Sequence, residues 1–161
     1  MQQTKPIKPK RIKYSVIFLV EEPHRDFPQF VKNMYTILSA RNESFEMLIM
    51  ANGTGRFLRN ALESLKTSGF RLKAYEFYVK TTQAACLLSG IRESQGEVIV
   101  VCGSYQQIAN DSFNYLLETI DDETDIISPW RYHRVDSRFR QLRSYVFNAL
   151  VRLITKSNLH D

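Results

Sequence analysis

Short apolar runs alternate with helix-period stripes along this chain, and that rhythm predicts its elements. Tyr14 to Val20 is a nearly unbroken apolar run, the mark of a buried strand. After a loop from Pro23 to Pro28, Phe30, Met34, Ile37 and Leu38 recur at helical spacing. Glu46 to Ala51 reads as a second strand, closed by the turn signal Asn52-Gly53-Thr54-Gly55. Leu58, Ala61, Leu62 and Leu65 mark a second helix, and Gly69 is placed to stop it. Lys73 to Val79 is a third, less apolar strand. Ala84, Leu87, Leu88 and Ile91 stripe a third helix that stops near Gly96.

The run from Glu97 to Cys102 is rich in β-branched residues and bounded by Gly96 and Gly103. It predicts a central strand buried on both faces. Asp111 or Ser112 is placed to cap a fourth helix, in which Phe113, Leu116, Leu117 and Ile120 share a face. Asp125 to Ser128 predicts a short fifth strand, ended by Pro129. A basic loop from Arg131 to Arg140 leads into a last helix over 141–155. Strict strand–helix alternation predicts a single Rossmann-like α/β domain, its sheet mainly parallel with helices on both faces. Ligands in such sheets bind beyond the carboxyl ends of the strands. Gly103-Ser104-Tyr105 should therefore floor the site.

Composition agrees with one folded domain. The chain has 161 residues, of which 43% are hydrophobic and 24% charged, enough for a core. Its apolar runs fall short of the 18 or so residues a membrane helix requires, and the N-terminus is basic rather than signal-like. A cytoplasmic location is expected. Cys86 and Cys102 lie in apolar runs and read as reduced core residues. His24, His133 and His160 are too scattered to form a metal cluster with them.

Charge refines the picture. Residues 1–13 carry Lys5, Lys8, Lys10, Arg11 and Lys13, net +5, and read as a flexible basic arm before a domain spanning 14–161. Residues 14–130 hold 10 basic and 15 acidic side chains, net −5, while 131–161 return to +5. Basic ends favour anionic lipid or phosphate. The chain lacks the interleaved aromatic and basic residues that stack bases, so no nucleic-acid partner is expected.

The strand ends carry the candidate chemistry. The first offers Glu21, Glu22 and Pro23, the second Ala51, Asn52 and Gly53. The fourth offers Gly103, Ser104 and Tyr105, and the fifth Trp130 and Arg131. The chain has no G-x-G-x-x-G after the first strand and no Gly-Lys-Ser/Thr phosphate loop. It also lacks a nucleophile elbow served by a histidine.

Several local patterns point one way. Ser89-Gly90-Ile91 and Ser94-Gln95-Gly96-Glu97 match an Ala-Gly-Leu and Ala-x-Gly-Asp pattern, and Pro129-Trp130-Arg131-Tyr132 keeps half of Gly-Ser-Arg-Tyr. Arg143 to Arg152 with the trailing Asp161 matches an Arg-x-x-x-Phe-Asn-x-Leu-x-Arg helix. From Tyr14 to Asp161 the chain resembles the catalytic domain of inverting family-two glycosyltransferases of the GT-A fold. The likeness is to dolichol-phosphate mannose synthase-like and related polyprenyl-phosphate enzymes.

The resemblance implies transfer of a sugar from a nucleotide-diphosphate donor to a polyprenyl-phosphate or glycan acceptor. It implies a nucleotide pocket formed by Glu21, Glu22, Asn52, Gly53, Ser104 and Tyr105, with Arg131 and Arg143 toward the phosphates. Two motifs depart from the family. Asp-Asp-Gly-Ser is replaced by Ala51-Asn52-Gly53-Thr54, and the metal-binding Asp-x-Asp by Gly103-Ser104-Tyr105. Hard cations need oxygen ligands, so no divalent metal cofactor is expected. The rival expectation is a catalytically inactive protein of the same fold, acting as a binding or assembly module. Residues 141–156 favour an interacting role in either case. Only Asn148 and Arg152 are polar from Tyr145 to Ile154, which calls for a second copy or an anionic membrane surface, peripheral to its inner face.

Overall fold

The computed structural model describes residues 11–129, apart from Thr54, Asp122 and the side chain of Phe57. The chain divides into two compact units, Met1–Asn114 and Tyr115–Asp161. The first holds four β-α steps except for the last residues of the fourth helix: β1 (Ile12–Val20), α1 (Phe27–Ala40), β2 (Phe45–Asn52), α2 (Arg56–Thr67), β3 (Lys73–Phe77), α3 (Gln83–Glu93), β4 (Gly96–Cys102) and α4 (Asn110–Thr119). The four strands form one sheet in the order β3-β2-β1-β4, and every pair is parallel. The chain moves outward from β1 through β2 to β3, then returns to place β4 on the other side of β1. That reversal makes the carboxyl ends of β1 and β4 a topological switch point.

The core lies on both sides of β1 and β2, most of whose residues are buried. On one face Phe18 meets Phe27 and Phe30 of α1 edge-to-face, with ring centroids 5.7 and 5.5 Å apart. On the other, Ile17, Leu48 and Met50 cluster with Cys86 of α3. The helix comes close because Gly90 faces the sheet; a Cβ there would lie 2.7 Å from Ile17 Cγ2. The apolar stripe Ala84, Leu87, Leu88, Ile91 is thus not the buried face, and only Leu87 of the four is even half-buried. Cys86 and Gly90 form that face, and Leu88 and Ile91 stay 48% and 41% exposed.

Helix ends follow local chemistry. Thr82 caps α3 by accepting from the Ala85 N–H at 3.2 Å. Gly69, at φ +87°, ends α2 as expected, its N–H donating to Lys66 O while Phe70 N–H donates to Leu65 O.

The structure corrects four further expectations. β4 is an edge strand among the described residues, with Ile99 and Val101 38% and 49% exposed, so β1 and β2 hold the centre. Asp125–Ser128 forms no strand. The third strand ends at Phe77, leaving Tyr78 and Val79 exposed in the loop. β1 also begins at Ile12, two residues before the expected start. The last helix, over 141–155, lies outside the described residues, as do residues 1–10 of the basic arm.

A buried polar clasp ties the amino end of the sheet together. Glu46 accepts from Ser15 Oγ at 2.8 Å and from the Gln95 N–H at 2.7 Å, and it pairs with Lys73 Nζ at 3.0 Å. Gly96 N–H donates to Ser15 Oγ at 2.8 Å. Burial pushes the Glu46 carboxyl up, but Lys73, Gln95 and Ser15 together outweigh it and hold the group below its ordinary value. No helix among the described residues is long and apolar enough to cross a membrane.

Candidate functional site

At the carboxyl end of the sheet the side chains sort into two groups. The first spans β1, β2 and β3. Glu21, just past β1, pairs with Lys80 Nζ at 2.8 Å. That contact raises the Lys80 pKa, and Glu22 adds to the field. Gly53 lies under the Lys80 stem at φ +69°, and a Cβ there would sit 3.5 Å from Lys80 Cβ. Asn52 is buried at the end of β2. Its amide donates to Thr81 O at 2.8 Å and accepts from Thr81 N–H at 2.9 Å. Asn52 therefore pins the loop that carries Lys80.

The second group spans β1 and β4, at the switch point. Tyr105 and His24 face each other with ring centroids 6.0 Å apart and planes at 51°. Ser104 lies partly buried on the same loop. Gln106 braces that loop: it accepts from Asn33 of α1 at 3.2 Å and donates to Ile108 O and Asn110 Oδ1, each at 2.8 Å. Burial pushes the neighbouring Cys102 thiol up to about 12, so it supplies no thiolate at neutral pH. Both cysteines are free.

Six expected site residues thus come to one end of the sheet: Glu21, Glu22, Asn52 and Gly53 toward β3, Ser104 and Tyr105 toward β4. Arg131 and Arg143 lie outside the described residues. Lys80, Thr81, His24 and Gln106 were missed by reasoning from sequence. For Lys80 and Thr81 the signal was available, because they follow the third strand at the same end as the residues chosen from its neighbours. His24 and Gln106 gain meaning only from contacts across the fold.

The divalent cation implied by the resemblance does not fit these residues. Gly103 has no side chain, and Tyr105 presents a neutral ring beside His24. Among the described residues no three His, Cys, Asp or Glu side chains converge to hold a metal ion.

Comparison with known proteins meets this geometry. Residues 28–160 match the model of the family described as glycosyl transferase family 2. The chain is 22% identical over 150 residues to undecaprenyl-phosphate 4-deoxy-4-formamido-L-arabinose transferase of Klebsiella pneumoniae (strain 342), covering 92% of this chain and 46% of that protein. It is 20% identical over 148 residues to the transferase of the same name from Edwardsiella ictaluri (strain 93-146), covering 91% and 46%. The chain thus spans about half the length of these curated relatives. With the family match running over most of its length, on a parallel sheet of the expected kind, this chain belongs to glycosyl transferase family 2 and carries a glycosyltransferase-like domain of Rossmann-like GT-A type.

Proposed function

We propose that this domain binds the nucleotide-diphosphate sugar of a transfer reaction whose acceptor is a polyprenyl phosphate or a glycan. One observation carries the reading. The strand order β3-β2-β1-β4 brings Glu22, Asn52 and Ser104 to adjacent carboxyl ends beside a switch point, in a chain of this family. The nucleotide lies over those ends, and Arg131 is assigned to its phosphates from the sequence alone. In the transfer, an acceptor oxygen, either a phosphate oxyanion or a glycan hydroxyl that releases its proton to solvent, bonds to the anomeric carbon as the bond to the diphosphate breaks. The electron pair leaves on the diphosphate, whose charge fixed cations stabilise. Arginine forks match phosphate oxygens in pairs, so Arg131 and Arg143 take this part without a divalent metal.

A second reading, a catalytically inactive binding or assembly module, is favoured by the replacement of the motif carboxylates with Gly103 and Tyr105. In both readings residues 141–156 join a second copy or an anionic membrane surface at its inner face. Calorimetric titration with nucleoside diphosphates and their sugars, with and without Mn²⁺, tests the proposal. It predicts binding that a chelator leaves unchanged. Binding that collapses with the chelator contradicts the metal-free account, and transfer of labelled sugar to a polyprenyl phosphate separates the two readings.

A further inference from the structure

The two sides of the strand-end crevice differ in chemistry. Toward β3 it carries the Glu21–Lys80 pair and the Asn52–Thr81 clasp, which suit the polar edge and charges of a ligand. Toward β4 the loop from Gly103 to Ala109 has no charged side chain at all. Its prominent feature is Tyr105, 49% exposed, tilted against the imidazole of His24, whose side chain is 55% exposed. Two half-exposed rings of different loops meeting at a switch point form one wall with an outward aromatic surface.

That wall is held from behind. Gln29 Nε2 donates to Asn33 Oδ1 at 2.9 Å, Asn33 donates to Gln106, and Gln106 donates to Asn110 Oδ1. Four amides therefore run from α1 across the β4–α4 loop to the start of α4. Asp26 steadies the other ring, its N–H donating to His24 Nδ1 at 3.3 Å. An exposed loop with no ligand to bind has little need of such bracing, since holding rotamer-rich side chains costs entropy.

We infer that Tyr105 and His24 form an aromatic platform for the sugar ring of a nucleotide-sugar, with Gln106 as the positioning residue that fixes Tyr105 on its loop. The inference rests on the donor-binding reading above. A pyranose turns a face of C–H groups outward, and such a face packs on the electron-rich face of an aromatic ring. On the Tyr105 side the neutral loop lets the sugar approach without desolvating a carboxylate, while on the His24 side the Asp26 carboxylate, 3.4 Å from Nδ1, stays largely exposed to water. A 6.0 Å ring spacing is too narrow for insertion, so the sugar lies across the two rings rather than between them.

The test compares one nucleoside diphosphate with its hexose derivative, for the parent protein, Tyr105→Ala, Tyr105→Phe and Gln106→Ala. Stacking contacts of this size predict that Tyr105→Ala weakens the hexose derivative about tenfold and the bare diphosphate less than about twofold. Tyr105→Phe should keep the parent ratio. Gln106→Ala should show the same selective loss, with its melting temperature close to the parent's. In the parent, NMR should show upfield ring-current shifts on the hexose protons, a readout that depends on no variant folding. Equal losses for both ligands, or unshifted hexose protons, overturn the platform while leaving donor binding intact. A parent protein that binds neither ligand overturns the donor reading and the platform with it.

Discussion

Gly90 and Gly96 leave no room for a methyl group. A Cβ on Gly96 would lie 2.5 Å from Ser15 N, a backbone atom of the central strand. One on Gly90 would meet Ile17 Cγ2 at 2.7 Å, in a core that has few ways to yield. Gly96→Ala should cost roughly 2–3 kcal/mol. Gly90→Ala should cost about 1–2 kcal/mol, because the gain in helix propensity offsets part of the overpacking. Urea denaturation of both variants checks this order. Glu46 gives a pH signature. Its folded carboxyl titrates below the ordinary value of 4.5, so its contribution is present above that pH and lost as pH falls through the lower folded value. Glu46→Gln should flatten the acid limb of the stability profile below pH 4.5; an unchanged limb would show that the clasp does not carry it. Asn52 shows why residue roles are only partly legible. Its position at a strand end marks it for ligand binding, yet its amide is occupied by Thr81, 29 residues away. An aspartate could not donate to the Thr81 carbonyl, so Asn52→Asp should cost about 1–2 kcal/mol.

At the scale of elements, the periodicity placed the first four strands and four helices, because apolar runs and stripes reflect burial directly. It misjudged what small residues do. A stripe of Ala84, Leu87, Leu88 and Ile91 looks like a buried face, but Cys86 and Gly90 permit the closer approach and so take the sheet side. It also misjudged β4, since a β-branched run reads alike at the centre and at an edge with one half-covered face. Both corrections are testable together. Leu88→Ala and Val101→Thr should each cost less than about 1 kcal/mol, whereas Leu48→Ala in the α3-facing core should cost about 2–5 kcal/mol. Comparable losses at all three positions would restore the original faces.

For the whole molecule, charge and family set the expectations. Acidic residues dominate 14–130 while both ends are basic, so anionic surfaces should meet the ends first. If residues 141–156 supply an interacting face, Phe147→Ser with Leu150→Ser should abolish self-association or binding to anionic vesicles at low salt. Dispersed parent monomers that bind no such vesicles would remove that role. The fold was legible from alternation, and the family from matched patterns along its length. The two-sided character of the crevice was not, because it depends on Lys80, His24 and Gln106 meeting partners far away in sequence. The central claim is that this crevice holds a nucleotide-sugar, and amide chemical-shift mapping tests it most directly. Titration with a nucleoside diphosphate-hexose should perturb amides clustered at Glu21–Glu22, Asn52–Gly53, Lys80–Thr81 and Gly103–Gln106. Shifts confined to the Ser15–Glu46 end of the sheet, or none at saturating ligand, would contradict the account.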